Sequence, residues 1–207
     1  VDFELPEDIA PYRARGADYL GLPEEYLVGL FIGQHILEKN LEFLLRTLPL
    51  VMDELPNFRM IFVGKGYAKE SLIALAQKLD ISDRVVFHDV IYDRELLKAI
   101  YARADLFLFP SLYDNAPLVL REAAAMKTPA VLIKGSTAAE VIQNGENGFL
   151  CQADNEDFAQ TIVRALSDRE ALARIGANAQ RTLCRTWESI IDEVAQRYHS
   201  ILDHWTR

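Results

Sequence analysis

The chain has 207 residues, half of them apolar and 26% charged, with a mean hydropathy near zero, which excludes disordered, collagen-like and coiled-coil classes. A formal net charge of −9 argues against a nucleic-acid partner, whose phosphates need a basic face, but leaves room for a small anion held by a few cations or helix ends. The longest uncharged run, residues 26–37, falls short of the roughly 20 apolar residues of a membrane span. Two cysteines, Cys151 and Cys184, lack CxxC spacing, so neither a disulfide framework nor a structural zinc is signalled and a cytoplasmic location is expected. The chain begins at Val1, not Met, and reads as a fragment or a processed product.

Residues 1–25 carry no strand signal and read as a linker remnant. Short continuous apolar runs then follow at 27–32, 59–63, 84–87, 105–109, 130–133 and 148–151, the pattern of strands covered on both faces. Helical periods fill the gaps at 39–55, 68–80, 94–104, 117–127, 138–144, 155–167, 169–184 and 187–204. Asp93 stands at an N-cap position, and Thr137 with Glu140 and Ser167 with Glu170 have capping-box spacing. Strand–helix alternation predicts right-handed crossovers and a doubly wound, Rossmann-like α/β domain over 26–185. Residues 186–207, with Trp187, Tyr198 and Trp205, form a terminal amphipathic helix.

Ligands of such sheets bind beyond the carboxyl ends of the strands, which directs attention to four loops. In the first, Gly33 ends a strand and Gln34, His35 and Lys39 follow. Lys39 at a helix start is either an anion-binding cation or a solvated lysine. The second holds Gly64, Lys65 and Gly66, too short for a dinucleotide fingerprint and without Walker spacing, so a tight turn is the simplest reading. The third runs from Ser111 through Asp114, Asn115, Ala116, Pro117 and Leu118 to Glu122. There Asp114 or Asn115 can cap the helix, Pro117 suits its first turn, and Asp114 and Glu122, eight positions apart, can face one cleft. Glu122 lies in an otherwise apolar helix, and a buried carboxylate needs partners. The fourth, from Gly135 to Glu140, points a helix N-terminus at the same strand ends. His35 can hydrogen-bond a substrate, His88 is a strand-end or turn residue, His199 and His204 are surface residues, and no histidine pair has metal-ligand spacing. Ser111 lacks a nucleophile-elbow context.

Several features stand in register over almost the whole chain: Leu30, Phe31, Ile32 and Gly33 with Glu38, Lys39 and Asn40; Ile61 through Gly66; Arg84 to Phe87; Ala104 to Ser111; Asp114 with Glu122; and Pro129, Glu140 and Asn144 to Leu150. Together they resemble the C-terminal, donor-binding half of the family 4 glycosyltransferases (glycosyl transferases group 1), of GT-B fold. The Asp114–Glu122 pair resembles that family's signature of two glutamates separated by seven positions. Departures are Gln34 in place of a common arginine, Asp114 for the first glutamate, and Asn115 and Asp89 where glycines are common. Losing the arginine removes one phosphate cation and puts more weight on Lys39; aspartate shortens the reach by one methylene.

The resemblance implies a retaining, metal-independent transfer of a hexose from a UDP-, GDP- or ADP-sugar to a glycan or lipid acceptor, with no cofactor. It implies catalytic roles for Lys39 on the diphosphate, Asp114 on the sugar and Glu122 on the ribose. Donor contacts are implied for Gly33, Gln34, Gly64, Lys65, Gly66, His88, Val90, Tyr92, Asn115, Ala116, Pro117 and Leu118. The acceptor site belongs to an N-terminal partner domain, toward which the terminal helix is expected to pack, so this chain alone is expected to transfer nothing. The full-length enzyme is expected in the cytoplasm, or at the inner face of a membrane. Alternatives are a non-catalytic nucleotide-sugar-binding homologue and another GT-B enzyme such as a sugar-nucleotide epimerase.

Overall fold

The computed structural model describes residues 5–114, 117–184 and 187–205. Six parallel strands form one sheet: β1 Leu27–Ile32, β2 Phe58–Val63, β3 Val85–His88, β4 Leu106–Phe109, β5 Ala130–Ile133 and β6 Phe149–Cys151, in the order β3-β2-β1-β4-β5-β6. Register is continuous from Leu27↔Phe58 to Ile32↔Val63 and from Met60↔Val85 to Val63↔His88. The helices are α1 Ala10–Leu20, α2 Leu41–Glu54, α3 Lys69–Lys78, α4 Arg94–Arg103, α5 Leu118–Ala125, α6 Asn155–Ser167, α7 Arg169–Leu183 and α8 Trp187–Trp205. Helix α2 packs with α3 and α6 in one layer; α1 with α4, α4 with α5, and α5 with α7 in the other. Every residue of β4 and β5 is buried, as the continuous apolar runs require of central strands covered on both faces.

The strand order fixes where a ligand can sit. From β1 the chain turns through α2 toward β2 and β3, then returns through α4 to β4 on the other side of β1. The carboxyl ends of β1 and β4 therefore flank a topological switch point, where doubly wound sheets leave a crevice.

Four expectations are corrected. The presumed linker contains α1, docked against α4 through Gly16, where a Cβ would lie 2.2 Å from the Ala99 carbonyl oxygen. Helix α2 starts at Leu41; Lys39 ends a separate 3-10 turn, Leu37–Lys39, and Asn40 joins the two in the left-handed region at φ 55°. Residues 138–144 do not form an α-helix: Thr137–Val141 is a 3-10 turn capped at Ser136 with no side-chain bond, so the Thr137–Glu140 capping box is absent. Asp168, not Ser167, caps α7 by accepting from the Ala171 N–H at 2.9 Å. Asp93 caps α4 as expected, accepting from the Glu95 and Leu96 N–H groups.

Residues 20–26 are tied to the sheet by a buried arginine. Arg103 donates to the carbonyls of Leu22 (2.7 Å), Pro23 (2.7 Å) and Tyr26 (2.9 Å). Asp105 accepts from the Val28 N–H at 2.8 Å and from Arg13 of α1 at 2.8 Å. Helix α8 follows as expected, with Ile191, Val194, Tyr198, Ile201 and Leu202 exposed. Among the described residues no helix is long and apolar enough to cross a membrane.

Candidate functional site

The glycines after β1 and β2 serve a backbone contact. Gly64 has φ +146°, and a Cβ there would lie 1.9 Å from the Gly33 carbonyl oxygen; one on Gly66 would lie 2.2 Å from the His35 carbonyl oxygen. The His35 N–H donates to the Lys65 carbonyl at 2.9 Å, and the Ala68 N–H donates to the His35 carbonyl at 3.0 Å. Glycine is needed because the two loops touch main chain to main chain. The result is one floor for the crevice, with Gln34 and Lys65 exposed above it.

His35 does not serve as a ligand-facing residue. Its ring is fully buried, with centroids 6.0–6.3 Å from those of Phe31, Phe62 and Phe87. Burial, reinforced by the charge of Lys69 and opposed by that of Asp89, holds its pKa down to about 4. Neither ring nitrogen has a partner among the described residues. The substrate bond expected from sequence is therefore not available to this side chain.

Across the switch point the first and third loops meet. The Asn40 amide donates to the Pro110 carbonyl at 3.2 Å. The Lys39 ammonium pairs directly with Asp114, and both side chains are about four-fifths buried, at 18% and 19% exposure. Asp114 is therefore not a helix cap. Pro117 occupies the N-cap of α5 instead of its first turn; no side-chain bond caps the helix start there, and the Leu120 N–H donates to the Pro117 carbonyl at 3.2 Å. Asp114 is held from below by Thr137, whose hydroxyl accepts from the Asp114 N–H at 2.8 Å and donates to the Asp114 carbonyl at 2.9 Å.

Glu122 lies about one turn, roughly 6 Å, inside α5. Its carboxylate accepts from the hydroxyl of Tyr101 on α4 at 3.0 Å. That contact supplies the partner a half-buried carboxylate requires, and burial with the neighbouring Glu122 charge pushes the Tyr101 phenol well above its ordinary pKa. At the β3 end, His88 is half-buried against Tyr19 of α1, with ring centroids 5.9 Å apart. Burial first, then the charge of Lys69, lowers its pKa, against the opposing pull of Asp89. Val90 is half-buried, Tyr92 and Leu118 are exposed, and Pro117 is buried. Asn115 and Ala116 lie outside the described residues. Among the described residues no three His, Cys, Asp or Glu side chains gather as metal ligands.

Three contributors escaped sequence reasoning. Tyr19 falls in the segment that reads as a linker, Tyr101 in the helical period over 94–104 without a signal of its own, and Thr137 at a capping-box position. Cys151 and Cys184 are buried, with burial raising their pKa values to about 12 and about 11, which makes both thiols inert.

A family model for glycosyl transferases group 1 matches residues 17–182. The D-inositol 3-phosphate glycosyltransferase of Streptomyces avermitilis is 32% identical over 197 residues, covering 90% of this chain and 42% of that protein. HepE from Anabaena, solved in complex with UDP and glucose, superimposes with a TM-score of 0.76 at 23% identity over 92% of this chain and 52% of that one. The C-terminal domain of LpcC, a glycosyl transferase group 1 family protein from Francisella tularensis, has the same fold, with a TM-score of 0.74 at 19% identity over 87% of this chain and 93% of that one. The chain spans just under half the length of the curated relatives it matches. By the span of the family match and the shared GT-B Rossmann-like fold, this chain belongs to the glycosyl transferases group 1 family.

Proposed function

We propose that the chain is the nucleotide-sugar-binding half of a glycosyltransferase that moves a hexose with retention, without a metal, from a nucleoside-diphosphate sugar to a glycan or lipid. The observation that carries this is the meeting of Lys39 and Asp114 across the β1/β4 switch point, beside the uncapped start of α5. A diphosphate needs a cation and oriented N–H groups, and both stand at that point. A sugar needs an acceptor for its hydroxyl hydrogens, which Asp114 provides, and a ribose needs one further in, which Glu122 provides while bound to Tyr101.

Breaking the bond between sugar and diphosphate leaves negative charge on the leaving oxygen. Lys39 and the α5 amides are fixed before the reaction and meet that charge as it develops. Asp114 pairs with Lys39, so the ammonium is kept in place without standing as an unpaired, largely buried charge. Donor binding replaces part of that contact by phosphate, and Asp114 turns to the sugar. Acceptor recognition and the completed active site are assigned to the remaining half of the protein.

Saturation-transfer NMR of the 207-residue chain against UDP-glucose, GDP-mannose and ADP-glucose tests the reading. Transfer to the nucleotide of at least one donor is expected. Absence of transfer to all three would remove it.

A further inference from the structure

We propose that Thr137 is the positioning residue that makes the site prefer a sugar-bearing donor over the bare nucleoside diphosphate, by fixing the main chain of Asp114. The inference rests on the donor-site reading above and deepens it.

One hydroxyl satisfies both main-chain polar groups of Asp114, accepting from its N–H at 2.8 Å and donating to its carbonyl at 2.9 Å. The Thr137 N–H adds a third tie, to the Leu112 carbonyl at 3.2 Å. The loop's own hydroxyl and cap contacts are weaker. The Ser111 hydroxyl reaches the Glu38 and Tyr113 carbonyls only at 3.4 and 3.3 Å, and Pro117 caps α5 without a side-chain bond. Thr137 is free to do this because it does not cap its own 3-10 turn, whose N-cap is Ser136.

The chemistry of Asp114 makes the anchor matter. An aspartate carboxylate sits one methylene from the main chain, so its position follows its Cα closely. Held in place, the carboxylate faces Lys39. A bare diphosphate must draw Lys39 away and leaves Asp114 without a donor. A sugar-bearing donor supplies hydroxyls to Asp114 at the same moment. If the loop drifts, that reward disappears while the diphosphate contacts remain.

Calorimetric titration of the whole chain with UDP and UDP-glucose, GDP and GDP-mannose, and ADP and ADP-glucose selects the pair bound most tightly, which is then carried into variants. Thr137→Val, nearly isosteric but unable to make either hydroxyl bond, is expected to shrink the affinity ratio of sugar nucleotide to nucleoside diphosphate about tenfold. Thr137→Ser is expected to keep that ratio. Thr137→Ala is read in the same way should the valine variant not fold. An unchanged ratio in Thr137→Val overturns the inference. Parallel loss of both affinities with a lowered melting temperature also overturns it, because it makes the residue merely structural. Equal binding of both ligands by the unaltered chain sinks the inference and leaves the donor site standing; binding of neither sinks both.

Discussion

The two ends of the sheet use charge in opposite ways. At the amino end, Arg103 is fully buried and spends its donors on the carbonyls of Leu22, Pro23 and Tyr26, while Asp105 accepts from Val28 and Arg13. At the carboxyl end, Lys39 and Asp114 share one contact, remain partly open to solvent, and sit beside an uncapped helix start. A saturated buried network specifies structure; a pair with donors and acceptors to spare can exchange its partner for a ligand. The contrast separates what holds this domain together from what it can bind.

Substitutions at the two ends sharpen the contrast. Arg103→Ala removes the 3.4 Å ion pair of Arg103 with Asp105 and leaves three carbonyls unsatisfied, and is expected to destabilise by about 3–5 kcal/mol in urea denaturation while folded molecules still bind nucleotide. Equal losses of stability and binding would blur the distinction. Lys39→Ala is the reciprocal test: in the full-length enzyme it should lower turnover by about 100- to 1,000-fold, corresponding to about 2.7–4 kcal/mol, with little change in denaturation midpoint. Unchanged turnover with normal expression would sink the role of Lys39.

Beneath the carboxyl-end loops lies His35, buried yet titratable. Its pKa in the fold, about 4, is below its ordinary value of 6.5. As pH falls through 6.5 the unfolded chain takes up this proton first, so the stability contribution is present above 6.5 and is lost progressively toward pH 4. The difference amounts to roughly 3 kcal/mol. Denaturation of the parent and of His35→Leu at pH 7 and pH 5 should show a smaller pH dependence in the variant. The smallest expected effect belongs to Glu122→Gln, which keeps the Tyr101 contact but loses charge. It should weaken nucleotide binding by about 1.5–3 kcal/mol in calorimetry, and unchanged affinity would refute a ribose contact.

The strands were legible because central parallel strands must be apolar on both faces, and β1, β4 and β5 are apolar runs with no competing period. Helix α1 was not legible. It buries Gly16 against a carbonyl and binds through Arg13, with Ile9, Tyr12 and Leu20 too widely spaced to make a strong apolar stripe. Lys39 and Asp114 were each placed at strand ends by sequence, but their meeting depends on β4 pairing with β1, a property of strand order over 75 residues of separation. His35 shows the converse. It stands in the loop after β1, where its sequence position puts it, yet its ring points among Phe31, Phe62 and Phe87, because alternation past a strand end follows the loop's main chain and not the strand's.

Amide chemical-shift mapping of the ¹⁵N-labelled chain titrated with UDP-glucose, GDP-mannose and ADP-glucose tests the central claim most directly. The account predicts that the donor that binds shifts the amides of Gly33, Gln34, Lys39, Gly64, Gly66 and Leu118, while those of Val28, Arg103 and Asp105 stay in place. Shifts confined to the Arg103–Asp105 end would contradict it.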